Sequence, residues 1–302
     1  MVLFPGACSL KLEPLTHMLN FPNCKINLGL HITRRRDDGF HDLETVFYPI
    51  YKLHDVLEIM QIGATTRQHN QASDPIAFTV SGLRVEGPSE SNLCLKAYQL
   101  LRADFPHLPA IQMHLHKTIP MGAGLGGGSA DGAFALNLLN EKFHLGLTRR
   151  QLIEYALRLG SDCPFFIVNN PCFAWSRGEM LEELGLDLSG YAIVIINPGV
   201  HVNTGWAFRQ IIPHQPAIEL KELILEPIYT WRDRLVNDFE QAVTHAHPVI
   251  GSIKNAMYQS GAVYAAMSGS GSTVYGIFET DKMPAVKLFP GFLELHFGLG
   301  AG

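Results

Sequence analysis

The sequence predicts an α+β protein of two lobes. Candidate strands come first and candidate helices follow, and that order then repeats along the chain. The 302 residues, 47% of them hydrophobic, are enough to bury one large core or two medium ones. No repeat array or long low-complexity linker separates the two halves.

Taken in order, segment 25–32 alternates cleanly, with Ile26, Leu28, Leu30 and Ile32 on one side and Lys25 and Asn27 on the other. A charged tip containing Asp38-Gly39 leads into a second strand over 45–51, and the two read as a hairpin. Further strands are expected at 55–61, 77–80 and 111–117, and a helix over about 90–104 with Asn92 near its start. A helix from Ser129 to about Phe143 places Phe134 with Leu138, and Ala135 with Leu139, on its buried side. Thr148 and Gln151 form a capping-box pattern for the next helix, which stops at Gly160. Strands are expected at 165–168, 172–175 and 192–197, and helices at 204–211, 217–224 and 249–259. Segment 265–278 reads as a second glycine-rich loop entering a strand. Residues 1–17 lack periodicity and the features of a signal peptide, so they are expected to be an extension with little part in the fold.

A net charge of −5 gives no electrostatic reason to bind nucleic acid. The one tight basic run, Arg34-Arg35-Arg36, is answered at once by Asp37-Asp38, as at a solvated hairpin tip. Cys8, Cys24, Cys94, Cys163 and Cys172 are odd in number and form no CxxC pair, which fits reduced thiols in the cytoplasm. The 14 histidines include no HExxH pair and read as surface or structural residues. No apolar run reaches membrane-spanning length. The partner expected is therefore a small molecule, with no nucleic acid or membrane, on a monomer or weak homodimer.

Chemistry concentrates in the run Pro120-Met121-Gly122-Ala123-Gly124-Leu125-Gly126-Gly127-Gly128-Ser129-Ala130, where five glycines fall within seven positions ahead of a helix. Glycine lets the backbone approach an anion, and the helix start supplies free N–H donors and partial positive charge. A P-loop reading fails because Gly128 stands where the lysine is required. A dinucleotide fingerprint matches Gly122, Gly124 and Gly127, but the preceding segment 111–117 alternates, unlike a buried parallel strand. A nucleotide-phosphate cradle remains. Phosphoryl transfer also needs charge neutralised and the acceptor hydroxyl positioned. Asp162, just past a helix stop, can accept or orient that proton, and Lys25 can hold it ionised. Alone, each would more often be a solvated surface residue.

The glycine run resembles the signature of the galactokinase–homoserine kinase–mevalonate kinase–phosphomevalonate kinase (GHMP) superfamily. Its triple glycine is similar to that of the 4-diphosphocytidyl-2-C-methyl-D-erythritol kinase family. Lys25-Ile26-Asn27-Leu28, Asp38-Gly39-Phe40-His41, Leu159-Gly160-Ser161-Asp162-Cys163-Pro164, Gly178-Glu179, Asn237-Asp238-Phe239-Glu240 and Met267-Ser268-Gly269-Ser270-Gly271 extend the resemblance in order over about residues 20–280. It implies an N-terminal domain over 18–168, like ribosomal protein S5 domain 2, and a ferredoxin-like domain over 169–302, with the active site between the lobes. It implies ATP and Mg²⁺, with residues 120–130 around ATP and Ser129, at the helix start, as the candidate metal ligand. Lys25 and Asp162 match the family's catalytic pair, Asn27 contacts the substrate alcohol, and His41 reads cytosine between Phe40 and Phe208. Cys163 beside Asp162 suggests inhibition by thiol reagents, and 286–302 has no parallel. A sister small-alcohol kinase, of homoserine or mevalonate type, and a non-catalytic nucleotide binder are the alternatives.

Overall fold

A computed structural model describes residues 17–62, 75–85 and 87–300. The extension expected over 1–17 lies, apart from His17, outside the described residues. Among those described, the strands form three four-stranded sheets.

The first sheet has the order β1-β4-β6-β5, built from β1 (Met18–Asn20), β4 (Val56–Gln61), β6 (Ile111–Lys117) and β5 (Ile76–Gly82). β5 and β6 are parallel, and the crossover between them carries α1 (Leu93–Asp104). Asn92 caps that helix, its side chain accepting from Cys94 N–H at 2.9 Å. On β6 the buried side chains Ile111, Met113 and Leu115 alternate with polar residues, as the sequence pattern predicts. They pack with α1, α2 (Gly127–Lys142) and α3 (Arg149–Leu159) in one core. Both halves of the Thr148–Gln151 capping box form at the start of α3.

The second sheet, β2-β3-β7-β8, starts with the expected hairpin of β2 (Asn23–Arg35) and β3 (His41–His54). β7 (Cys172–Ser176) and β8 (Met180–Glu183) complete it. Because β7 pairs with β3, this sheet crosses the domain boundary expected at 168/169. Local composition does not reveal such long-range pairing.

The third sheet is antiparallel, β10-β11-β9-β12. Its strands are β10 (Tyr264–Met267), β11 (Val274–Glu279), β9 (Tyr191–Asn197) and β12 (Leu293–Gly298). One face packs Val194, Ile196 and Val274 against α7 (Asp238–Ala246) and α8 (Pro248–Gln259). The other face packs Ile193, Ile195 and Tyr275 against Ile26, Leu28 and Ile50 of the second sheet. The opposite face of β2 is covered by the glycine run, Phe47 and the loop before β11, so Lys25 and Asn27 are buried rather than solvated.

Segment 165–168, expected as a strand, is instead the end of helix α4 (Cys163–Val168). A four-residue apolar run does not distinguish the two states. Pro164 in the first turn and Asn169, left-handed at φ 53°, define the helix ends. The helix expected at 204–211 is α5 (Thr204–Gln210), whereas that expected at 217–224 shortens to α6 (Leu220–Leu223). α7, β8 and β12 were not anticipated from the pattern.

Candidate active site

The glycine run folds as a set of left-handed turns that opens α2. Gly126 caps the helix at φ 72° with no side-chain cap, so the first-turn N–H groups of this 16-residue helix stay available. Gly124, at φ +79°, passes so close to the segment before β11 that a Cβ there would lie 2.0 Å from the Ser268 carbonyl oxygen. Ser268 Oγ donates to Gly124 O at 2.8 Å, and Lys25 N–H donates to Leu125 O at 3.0 Å. The two glycine-rich loops and β2 thus brace one another.

Lys25 and Asp162 meet. Lys25 Nζ lies 3.7 Å from Asp162 Oδ2, with the lysine side chain 5% exposed and the aspartate 36%. The ammonium donates to Asn27 Oδ1 at 2.5 Å and sits 4.8 Å from the Phe47 ring centre. Burial lowers the Lys25 pKa, and the Asp162 carboxylate partly offsets that. Asn27 is fixed on every side. Its Nδ2 donates to Thr45 Oγ1 at 2.9 Å, and its carbonyl accepts from Tyr275 OH at 2.7 Å. Thr45 Oγ1 donates onward to Gly29 O at 2.6 Å, which leaves it an acceptor for the Asn27 amide.

These groups border one cavity of about 780 Å³. Pro120, Met121, Gly122, Ala123, Gly124, Gly126, Gly127, Gly128 and Ser129 line it, with Lys25, Asn27, Asp162 and Phe208. Leu125 and Ala130, also expected at the nucleotide, do not line it. They are the apolar residues that anchor the loop, one in the core between the second and third sheets, the other beneath α2.

His41 stacks directly on Phe208, with ring centres 4.8 Å apart and planes 21° from parallel. Phe208 also makes a T-shaped contact with Phe239, ring centres 4.9 Å apart. Phe40 stands at the hairpin tip, 54% exposed, with the Arg177 guanidinium 5.2 Å from its ring centre. Phe40 and His41 do not line the cavity, whereas Phe208 does. Cys163 is also unlike the expectation of a reactive thiol, being fully buried with its pKa pushed up to about 12 by desolvation.

One feature escaped the sequence reading. Lys117 is buried between Asp55 and Asp131, bonding to both, with Asp131 Oδ2 at 2.7 Å. Asp55 also accepts from the N–H groups of Thr118 and Ile119, at 2.6 and 2.9 Å, and so fixes the approach to the glycine run. Asp131 lines the cavity, its Oδ1 is buried without a partner, and burial raises its pKa to about 8. A signal existed in the pattern, since Lys117 continues the apolar register of Ile111, Met113 and Leu115.

Residues 92–170 match the GHMP kinases N terminal domain, and residues 220–288 the GHMP kinases C terminal domain. The chain is 52% identical over 264 residues to 4-diphosphocytidyl-2-C-methyl-D-erythritol kinase of Bacteroides thetaiotaomicron, covering 87% of this chain and 93% of that one. The chain belongs to the 4-diphosphocytidyl-2-C-methyl-D-erythritol kinase family. The family's protein from Parabacteroides distasonis is 46% identical over 87% of this chain and 92% of its own. A crystal structure of 4-(cytidine 5'-diphospho)-2C-methyl-D-erythritol kinase superposes with a TM-score of 0.73 at 28% identity, covering 88% of this chain and 92% of that one. Homoserine kinase from Cytophaga hutchinsonii shares the two-lobed GHMP fold, with a TM-score of 0.58 at 16% identity over 91% of this chain and 89% of its own.

Membership in this kinase family makes ATP the phosphoryl donor, and the cavity fits it. Open space at Gly128, where an added Cβ would meet nothing closer than Met121 at 3.9 Å, and an uncapped helix start are features suited to a phosphate chain. Ser129, in the first turn of α2, presents a hard oxygen donor to the same cavity.

Proposed function

We propose that the chain transfers the terminal phosphoryl group of ATP to the 2-hydroxyl of 4-diphosphocytidyl-2-C-methyl-D-erythritol, giving the 2-phosphate and ADP. This is a step of the non-mevalonate route to isoprenoid precursors. The observation that carries it is the Lys25–Asp162 pair, 3.7 Å apart on the wall of the cavity that the glycine loop borders. The relatives named for this activity support the choice of acceptor.

In this reading the glycine-loop amides and the α2 N-terminus hold the phosphates of ATP. Asp162, the more exposed partner, accepts a hydrogen bond from the acceptor hydroxyl and takes or orients its proton. Lys25 stays charged beside it and stabilises charge on the transferring group. Asn27, held by Thr45 and Tyr275, contacts the substrate alcohol. Mg²⁺, held in part by Ser129, would neutralise phosphate charge. Phe208 stacks the cytosine while His41 reads its edge, and Phe40 supplies the outer wall. Because His41 stacks on Phe208, a cytosine on that face requires the His41 ring to move aside. We place the enzyme in the cytoplasm, acting as a monomer or weak homodimer.

The test is product identification by phosphorus NMR after incubation with ATP and Mg²⁺. A new monoester resonance coupled to the 2-position carbon supports the assignment. A phosphate on any other hydroxyl rejects it.

A further inference from the structure

The structure places two imidazoles and a carboxylate together outside the catalytic cavity. His31 on β2 and Asp238, the first residue of α7, are both buried, with side chains 5% and 6% exposed. His31 Nδ1 lies 3.2 Å from Asp238 Oδ1. His214, in the segment after α5, brings its Nδ1 to 3.7 Å from Asp238 Oδ2, and its backbone N–H is anchored to Ile32 O at 3.0 Å. The three ligating atoms all lie within 4.8 Å of one another. None of the three residues lines the cavity that holds Lys25 and Asp162.

We propose that His31, His214 and Asp238 form a binding site for a divalent first-row transition metal of the zinc type.

Zinc bonds to nitrogen and oxygen of about 2.0–2.1 Å set neighbouring ligands in a tetrahedron about 3.3 Å apart. Each imidazole is near that spacing from its own oxygen of Asp238, His31 from Oδ1 at 3.2 Å and His214 from Oδ2 at 3.7 Å. The remaining adjustment falls on the His214 ring, which is 54% exposed and free to swing inward. Two imidazoles and one carboxylate, with water completing the shell, suit zinc and its neighbours better than Mg²⁺. Among the described residues no lysine or arginine pairs with Asp238, so no side-chain cation already occupies its carboxylate. The surrounding groups also resemble an outer shell. Ile32 N–H donates to Asp238 Oδ2 at 2.8 Å, and Glu44 stands directly opposite His31 across β2 and β3.

A metal at this point ties β2, the segment after α5 and α7 to one another. α7 follows Asn237, whose Nδ2 donates to the carbonyls of Met267 and Gly269 at 2.8 Å each. It also carries Phe239, which abuts Phe208. The metal therefore stiffens one wall of the catalytic cavity without touching substrate.

The test is zinc titration of the chelator-treated full chain against a chromophoric zinc indicator, with Mg²⁺ in excess. The chain has 14 histidines, so the comparison with variants is the decisive reading. One tight equivalent is expected, weakened at least about tenfold in His214→Ala and in Asp238→Asn. Zinc should raise the thermal midpoint of the parent chain and not that of His214→Ala, whose replaced side chain is exposed and outside the core. An equivalent that survives both substitutions, or no binding stronger than theirs, overturns the proposal and leaves a hydrogen-bonded His31–Asp238 pair with His214 as a bystander.

Discussion

Lys25 Nζ stands 3.7 Å from Asp162 Oδ2, joining a buried cation to an anion that remains open to the cavity. The asymmetry matters chemically. The lysine is held in place by Asn27 and Phe47, whereas the aspartate faces the space where an acceptor alcohol would lie. Asp162→Asn keeps the shape and removes the carboxylate proposed to take or orient the hydroxyl proton. Its turnover should fall by about 10²–10⁴-fold, with little change in the KM for ATP. Steady-state ADP release checks this, and full turnover in the variant removes Asp162 from the mechanism.

Gly124→Ala tests the bracing of the two glycine-rich loops. The added Cβ meets the Ser268 carbonyl oxygen at 2.0 Å, and φ is +79°. Stability should drop by about 1–3 kcal/mol, and the KM for ATP should rise. Urea unfolding together with ATP titration would show both. Unchanged values in both would mean that the loops do not brace each other.

The buried triad of Asp55, Lys117 and Asp131 predicts a pH effect on the nucleotide-free protein. Burial raises the Asp131 pKa from an ordinary 3.8 to about 8 in the folded state. Folding therefore favours its protonated form. That contribution is whole below about pH 4 and is lost as the pH rises through about 8. Asp131→Asn mimics the neutral carboxyl, so its urea midpoint should decline less between pH 6 and 9 than that of the parent chain. Parallel declines would show that Asp131 is already ionised in the fold.

Phe208→Ala should act on the cytidylated substrate alone. A base–aromatic stack contributes about 1–3 kcal/mol, which is a factor of roughly 5–150 in affinity. The KM for that substrate should rise within this range while the KM for ATP holds. An equal rise in both would assign Phe208 to general packing with Phe239.

Sequence patterns carried much of this architecture where physics is local. The hairpin of β2 and β3, the Asn92 and Thr148 caps and the glycine cradle each follow from a few neighbouring residues. Juxtaposition was less legible. Nothing near Lys25 in the chain says that the distant glycine run and Phe47 cover it, and only the family resemblance matched it with Asp162 as a pair. Segment 165–168 was misread because four apolar residues suit either state, and the Pro164 and Asn169 signals outweigh them. β12 was legible in the alternation Leu293-Glu294-Leu295-His296-Phe297, and its pairing with β9 across almost a hundred residues is what the local pattern does not show. The His41–Phe208 stack joins residues far apart in the chain, and only the family resemblance grouped them.

The most direct measurement compares ADP release from ATP and Mg²⁺ with two acceptors, 4-diphosphocytidyl-2-C-methyl-D-erythritol and the same alcohol phosphate lacking its cytidine. Fast turnover of the cytidylated compound alone is the predicted result. Turnover of neither, with activity on homoserine or mevalonate instead, would contradict the assignment of acceptor and leave only the shared kinase fold.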